Sequence, residues 1–147
     1  MVSERSNQGD IVVFKEEMTN FLSVEFPQTK CLVETVGDQS AVVRHPIGFN
    51  ELRPGGTVAG PVLMTVADVA LYVALLGEIG LLASAVTTNL SMNFLRKPVA
   101  NKDIIAKCKL IKVGRTQAVG EVSLYSEGDS RPVAHAVGTY ALPERQN

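Results

Sequence analysis

The stretch of sequence that decides the fold is GGTVAGPVLMTVADVALYVALLGEIGLL, from Gly55 to Leu82. Its apolar residues recur at helical spacing on nearly every face, so they form no single stripe. A helix of this kind is predicted to be surrounded by protein. We predict Pro61 at the first helical position, where a missing N–H costs nothing, and Gly77 and Gly80 as candidate terminators.

One carboxylate, Asp68, interrupts this apolar helix near its centre. An ionised carboxylate in apolar surroundings has to be paired, hydrogen-bonded, neutralised or placed at a wet cleft. A structural role, as a cap or as the partner of a buried arginine, is one interpretation. The other interpretation is catalytic, and the sequence around the helix favours it.

The polar groups that flank the helix are those that acyl transfer needs. The helix follows a long loop containing Gly and Pro, so its N-terminal amides and positive dipole end can face a ligand oxygen. That loop carries Asn50, an amide donor. The strand predicted after the helix carries four small polar residues, Thr87, Thr88, Asn89 and Ser91. A carboxylate, an amide-rich helix terminus and hydroxyls together indicate an acyl-transfer site.

Three further elements are predicted before the central helix. A first helix is predicted from about residue 11 to residue 25, with Asp10 as its N-cap and Pro27 closing it. Residues 31–44 have the pattern of two strands around a turn at residues 36–39. Residues 45–58 contain several Gly and Pro residues, and their length predicts a functional loop rather than a simple connection.

After the central helix the hydrophobic period changes to two, which predicts four consecutive strands joined by short turns. In the first strand, alternation predicts one face with Val86, Leu90, Met92 and Phe94, and an opposite face with Thr87, Asn89, Ser91 and Asn93. Such strands imply an antiparallel sheet. The expected fold class is α+β, a curved antiparallel sheet wrapped around one long apolar helix, in a single domain spanning residues 1–147.

Composition excludes several classes of partner. Of 147 residues, 46% are hydrophobic and 20% are charged, and the net charge of −1 offers no bulk attraction for nucleic acid or an anionic membrane. The N-terminal ten residues lack an apolar signal region, and the run from Pro61 to Leu76 is shorter than the roughly 20 residues of a membrane span. We therefore expect a cytoplasmic protein. Cys31 and Cys108 have no metal-site spacing, so we expect two buried free thiols in a reducing compartment, and no metal or redox cofactor is implied.

Five motifs, in order along the chain, resemble one family. They are HPIGFN, GTVAGPVLMTVADVALYVA, VTTNLSMNFLRKP, KVGR and PVAHAVGTY, and they cover roughly residues 45–142. This series resembles the hotdog-fold acyl-CoA thioesterases of the phenylacetate-pathway (PaaI-like) type. The resemblance implies the hotdog fold, hydrolysis of an acyl-CoA thioester to a free acid and coenzyme A, and assembly as a homodimer or a dimer of dimers.

The resemblance also implies roles for individual residues. Gly60 matches the glycine whose backbone N–H polarises the thioester carbonyl. Asp68 matches the catalytic acid, which acts as general base on water or as nucleophile. Asn50 resembles the loop residue that orients the nucleophile or the carbonyl, and Thr87 or Thr88 resembles the hydroxyl residue that positions water.

The chain departs from the family at the helix start, where Ala59-Gly60-Pro61 stands in place of His-Gly-Gly. Two rival functions follow: a non-catalytic module that binds or senses acyl-CoA, and a hydratase, which is disfavoured because no His is placed beside the acid. A set of basic residues at strand ends is either solvated or, as the resemblance suggests, bound to coenzyme A phosphates: Arg96, Lys97, Lys112 and Arg115.

Helix geometry predicts that the site needs two subunits. Gly60 and Asp68 are eight residues apart, which corresponds to about 12 Å along a helix axis. A general base and an oxyanion donor must both lie within about 3 Å of one reacting centre or its water. A second copy running antiparallel could bring its own Gly60 beside the first copy's Asp68, giving two equivalent sites by two-fold symmetry.

Overall fold

The computed structural model, which describes residues 4–5, 11–12, 14–53 and 57–143, is an antiparallel sheet around one long helix. This confirms the α+β class and the hotdog fold. Thirteen elements follow one another along the chain: β1 (Glu4–Arg5), β2 (Ile11–Val12), α1 (Lys15–Glu25), β3 (Leu32–Gly37), β4 (Ser40–His45), a 3-10 turn (Phe49–Glu51), β5 (Leu52–Arg53), β6 (Thr57–Val58), α2 (Gly60–Ile79), β7 (Val86–Phe94), β8 (Ile104–Val113), β9 (Gln117–Ser126) and β10 (Ala134–Ala141).

The main sheet has six strands in the order β3-β4-β8-β9-β10-β7, and every neighbouring pair is antiparallel. The β3–β4 hairpin therefore joins the strands that follow α2. β7 does not pair with β8, the next strand in sequence, but crosses the sheet to pair with β10 at the far edge. As a result β3 and β7 form the two edges, and all residues of β7 are exposed or half-exposed.

α2 is the core of the molecule, and eleven of its 20 residues are buried. It begins at Gly60, so Pro61 is the second helical residue and not the first. It ends at Ile79, where Gly80 caps it with a φ of 98°. Gly77 is wrong as a terminator: it lies inside the helix, where an added Cβ would come 2.7 Å from Val36 of β3.

Two glycines of the sheet let α2 approach closely. Gly120 of β9 and Gly138 of β10 face each other across the strands. An added Cβ would lie 2.7 Å from a Leu71 methyl carbon at Gly120 and 2.5 Å from one at Gly138. Leu71 therefore packs directly on sheet backbone, and a side chain at either glycine would force the helix or its leucine to shift.

The N-terminal helix is shorter than predicted. α1 starts at Lys15, because Phe14 is extended at φ −85°, ψ 159° and the preceding Ile11–Val12 pairs with Glu4–Arg5 as strand. The predicted cap, Asp10, lies outside the described residues. Met18 and Leu22 of this helix are buried in the core.

The segment predicted as a loop before α2 contains the 3-10 turn and the short β5–β6 ladder. Glu51 anchors it: this buried carboxylate accepts hydrogen bonds from Lys30 Nζ at 2.8 Å and from the Gly48 N–H at 2.7 Å. The hydrogen bond from Lys30 is the main reason why the pKa of Glu51 is lowered. The Glu51 carbonyl also accepts from the Ala59 N–H at 2.9 Å, which ties the turn to the start of α2.

α2 is long enough and apolar enough to cross a membrane by length and composition, with 20 residues and a mean hydropathy of 1.9. The helix is longer than the apolar run from Pro61 to Leu76 because it begins at Gly60 and ends at Ile79. In the fold, 67% of its most apolar window is buried against the rest of the protein. A core helix passes the same test, and the packing of α2 is that of a core helix.

Candidate active site

The Asp68 carboxylate is half-buried on α2, and two hydroxyl groups hold one of its oxygens. Thr87 Oγ1, on β7, donates to Asp68 Oδ1 at 2.6 Å. The Tyr140 hydroxyl, on β10, donates to the same oxygen at 2.7 Å and also lies 3.1 Å from the Asp68 carbonyl oxygen. The carboxylate is thus neither a cap nor the partner of an arginine, since its partners among the described residues are neutral donors.

An irregularity in β7 brings Thr87 to the helix. The register skips one residue between Thr139 and Tyr140, so that Asn89 pairs with Thr139 and Thr87 pairs with Tyr140, leaving Thr88 as the extra residue of a β-bulge. Residues paired across strands share a face. Thr87 therefore shares the helix-facing side with Tyr140, and the alternation that assigned it to the opposite side is wrong at this point.

The same pairing separates the polar residues of β7. Asn89 and Ser91 share the outer face with Thr139 and Val137, away from α2, so they do not line a cleft with Asp68. Thr88 directs its hydroxyl to the Thr139 carbonyl at 3.3 Å. Of the four small polar residues that the sequence offered, only Thr87 contacts the carboxylate.

A cavity of about 430 Å³ opens in front of Asp68, and we call it the carboxylate cavity. Its wall combines the acid and its two hydroxyl donors with apolar and aromatic side chains from α1, α2 and the connection to β7: Glu25, Phe26, Asp68, Val69, Tyr72, Ala83, Ala85, Val86, Thr87 and Tyr140. Tyr72 stacks on Tyr140 with ring centroids 6.1 Å apart. The wall is thus suited to hold an apolar group beside a carboxylate.

Tyr140 is a site residue that the sequence analysis missed. Burial, followed by the nearby Asp68 charge, raises the pKa of its hydroxyl well above the usual range, so the group keeps its proton and remains a donor. The alternation of small and polar residues in β10 could have indicated it, because it places Tyr140 on the face toward α2 with Ala134, Ala136 and Gly138. A buried tyrosine hydroxyl needs a polar partner, and the only acid on the facing helix near its centre is Asp68.

Gly60 lies in a second cavity, of about 650 Å³, which we call the helix-start cavity. Pro61 has no N–H, and the amides of Val62 and Leu63 both point to the Ala59 carbonyl. The Gly60 amide has no acceptor within the helix because it is the first helical residue. It is therefore the donor that the positive end of α2 can offer to a ligand.

The helix-start cavity has an apolar wall and a basic rim. An added Cβ on Gly60 would lie 3.4 Å from the Phe94 ring, so the end of β7 packs against the start of α2. Three basic residues, Arg53, Arg96 and Lys97, line the same cavity. Arg96 Nε donates to the Pro132 carbonyl at 2.8 Å, which orients its guanidinium.

Within one chain the structure brings Asp68 and Thr87 together but leaves Gly60 in a separate cavity. The lining of the carboxylate cavity and the lining of the helix-start cavity share no residue. Asn50 is exposed in the 3-10 turn and lines neither cavity, although its neighbour Glu51 is bonded to Ala59 at the helix start. Arg115 lies in the β8–β9 turn, at the end of the sheet opposite to Arg96.

Among the described residues, no group of three or more His, Cys, Asp or Glu side chains is placed to hold a metal ion. Cys31 and Cys108 are buried free thiols, as predicted. Burial raises the pKa of the Cys31 thiol to about 11 and that of Cys108 to about 12, so neither is a ready nucleophile.

Comparison with known proteins gives a consistent result. Residues 55–133 match the model of the thioesterase superfamily. The fold is similar to a candidate thioesterase from Silicibacter sp. TM1040, with 38% identity, a TM-score of 0.83, and coverage of 95% of this chain and 99% of that one. It is also similar to a variant of the phenylacetic acid degradation protein PaaI from Thermus thermophilus, with 26% identity, a TM-score of 0.70 and coverage of 80% and 96%.

The PaaI protein from the phenylacetic acid degradation operon of E. coli shares the fold at 20% identity and a TM-score of 0.70, with coverage of 86% of this chain and 91% of that one. A comparison with curated proteins gives no match.

Proposed function

Because the chain belongs to the thioesterase superfamily, whose members are thioester hydrolases, we propose that it hydrolyses acyl-CoA to a free acid and coenzyme A. The observation that carries this proposal is the Asp68 carboxylate, fixed by Thr87 and Tyr140 at the wall of an otherwise largely apolar cavity. In this arrangement the acyl group occupies the cavity and its carbonyl carbon lies beside Asp68.

In the proposed reaction, Asp68 acts on the thioester in one of two ways. As a general base it takes a proton from water while the water oxygen attacks the carbonyl carbon. As a nucleophile it attacks that carbon itself, and water then hydrolyses the resulting anhydride. Either route consumes one water and releases the acid and the thiol, and the Gly60 N–H at the helix start stabilises the developing oxyanion.

A two-subunit site is supported by the placement of β7. This free edge strand touches α2 at both of the proposed catalytic points: its Thr87 contacts Asp68, and its Phe94 packs on Gly60. If β7 pairs antiparallel with β7 of a second copy, the Thr87 end of one strand meets the Phe94 end of the other. Asp68 then faces the partner's Gly60.

Exposed apolar side chains along this edge favour such a pairing. Val86 and Phe94 of β7, Leu95 after it and Met64 of α2 are between 40% and 55% exposed. Large apolar side chains exposed beside an unpaired strand edge are typical of an interface between subunits. We therefore propose a homodimer, or a dimer of dimers, with two shared sites.

The basic residues at the sheet ends support coenzyme A as the leaving group. Arg96 and Lys97 lie at the Gly60 end of the sheet, and Arg115 lies at the Asp68 end. In the antiparallel dimer those two ends belong to the same site, so residues that are far apart in one chain become neighbours of one ligand. Arg and Lys are the side chains that bind the phosphates of a nucleotide.

The test of this function is release of free thiol from a panel of short, long and aromatic acyl-CoA substrates. Asp68→Asn should lower turnover by about 10²–10⁴-fold, the usual contribution of a general base, while binding and folding persist. Asp38→Asn is the matched control, because that acid lies in the β3–β4 turn.

Two results would contradict the proposal. Wild-type turnover by Asp68→Asn would remove the carboxylate from the mechanism. Binding of acyl-CoA by the wild type without hydrolysis of any member of the panel would favour the binding or sensing module, which the replacement of the family His by Ala59 keeps open.

A further inference from the structure

We propose that Tyr140 is a positioning residue that, together with Thr87, occupies Oδ1 of Asp68 and leaves Oδ2 as the oxygen that reacts. This inference rests on the proposed thioester hydrolysis and deepens it by assigning the reacting atom. Tyr140 comes from β10 and Thr87 from β7, so neighbouring strands hold a side chain of the helix from the same side.

The two donors fill the capacity of one carboxylate oxygen. A carboxylate oxygen has two lone-pair positions, and Oδ1 accepts from Thr87 at 2.6 Å and from Tyr140 at 2.7 Å. These are short bonds between hydroxyls and a charged acceptor, which makes them strong. Rotation of the carboxylate away from this orientation would break both bonds, so the group is held in one orientation.

Tyr140 is itself held in place. Its side chain is buried, its ring stacks on Tyr72, and its hydroxyl is also within 3.1 Å of the Asp68 carbonyl oxygen. Burial and the neighbouring negative charge raise the pKa of the hydroxyl, so it keeps its proton and can donate. The ring is therefore held in place, and Oδ1 of Asp68 is the nearer of the two acceptors of its hydroxyl.

The consequence concerns Oδ2. In the base route, Oδ2 takes one proton from water as the water oxygen bonds to the carbonyl carbon. The C–S bond then breaks, and the thiolate receives the proton back. In the nucleophile route, Oδ2 itself forms the bond to carbon, the thiolate leaves, and water hydrolyses the anhydride. Both routes balance as thioester plus water giving acid plus thiol, and both need Oδ2 at a fixed position.

The decisive variant is Tyr140→Phe, which removes the hydroxyl and keeps the ring. We expect kcat to fall about 10- to 100-fold with KM within about two-fold, because the carboxylate loses its fixed orientation toward the reacting carbon while substrate binding is unaffected. Thr87→Val should give a loss of similar size. The double variant should lose more than either single one, with an effect that departs from the product of the two.

The direction of the change separates positioning from electronics. A hydroxyl donor stabilises the charged form of a carboxylate, so its removal makes the carboxylate a stronger base. An electronic effect alone would leave kcat unchanged or raise it. A fall in kcat at constant KM therefore reports lost orientation.

Tyr125→Phe is the matched control, since Tyr125 is on the outer face of β9, where its ring lies under Lys107 Nζ at 5.1 Å. It should retain wild-type kcat. Thermal unfolding of all variants checks the fold, and Thr87→Val carries the test if Tyr140→Phe unfolds.

The failures are distinguishable. A wild type that hydrolyses no thioester overturns the proposed function and this inference together. An active wild type whose Tyr140→Phe and Thr87→Val variants keep wild-type kcat overturns this inference alone.

Discussion

Mixed dimers of two inactive variants provide the sharpest test of the shared site. Asp68→Asn removes the carboxylate and keeps the helix-start amide. Gly60→Pro removes that amide and keeps the carboxylate. Proline is tolerated at the first helical position, and Ala59, at φ −66° and ψ 141°, already has the conformation required before a proline.

The expected recovery follows from two-fold symmetry. In a heterodimer, one site combines the substituted side chain of the Asp68→Asn chain with the missing amide of the Gly60→Pro chain and is inactive. The other combines an intact Asp68 with the partner's intact Gly60 and is active. A heterodimer should therefore have about half the activity of a wild-type dimer, and a 1:1 mixture with free exchange should have about a quarter. If one chain formed its own complete site, every site in every combination would carry one lesion, and nothing would be recovered.

The assay is thiol release by heterodimers isolated through two different affinity tags, with each variant alone and each variant mixed with itself as controls. Thermal unfolding of each variant shows whether it is folded, and the two-tag purification shows that exchange took place. Folded heterodimers with no activity above that of the separate variants would refute the shared site. So would an active wild type that stays monomeric at assay concentration.

Two further predictions test the ligand and the loop. Arg96→Ala and Arg115→Ala should each raise KM for acyl-CoA with little change in kcat. Both should have a smaller effect on KM for an acyl-pantetheine thioester, which lacks the nucleotide. Equal effects on the two substrates would exclude contacts between these arginines and the phosphates. Glu51→Gln should lower the free energy of unfolding at neutral pH, because Lys30 stabilises the charged carboxylate. The pKa of Glu51 is lowered in the folded state, so this stabilisation is present above pH 4.5, the pKa of the unfolded state, and disappears as the pH falls through the pKa of the folded state. The difference in unfolding free energy between wild type and variant should therefore shrink in denaturation measured at acidic pH. A difference that persists at acidic pH would show that the charge of Glu51 is not the source of the stabilisation.

The parts of the fold that follow from hydrophobic periodicity could be predicted from the sequence. An apolar helix followed by alternating strands leaves little choice but a sheet around that helix, and α2 with β7 to β10 is the result. The errors fall where local pattern is weak. The start of α1 depends on strand pairing by Ile11–Val12, and Gly77 resembles a terminator although it marks a close contact with Val36. Neither the start of α1 nor the role of Gly77 can be predicted without knowing which segment packs or pairs against it.

The candidate site divides in the same way. Asp68 is recognisable because a carboxylate on an apolar helix demands an explanation. Thr87 is one of four small polar residues that the sequence offers near the acid, but strict alternation places it on the wrong face. The bulge at Thr88 turns the Thr87 side chain to the face of α2, and it depends on pairing with β10, 51 residues further along the chain. Tyr140 was missed for the same reason, because its partner is 72 residues away.

The proposed dimer adds a constraint that neither chain could satisfy alone, namely the register between the two β7 strands. Thr87 and Phe94 are fixed to Asp68 and Gly60 within each chain, so the alignment of the strands sets the distance between one copy's carboxylate and the partner's helix-start amide. Antiparallel strands advance about 3.4 Å per residue, so a slip of two residues would shift the two groups by about 7 Å and separate them from a common carbonyl. The exposed side chains of Val86 and Phe94, at the two ends of β7, are therefore expected to fix the register of the two strands as well as to form interface contacts.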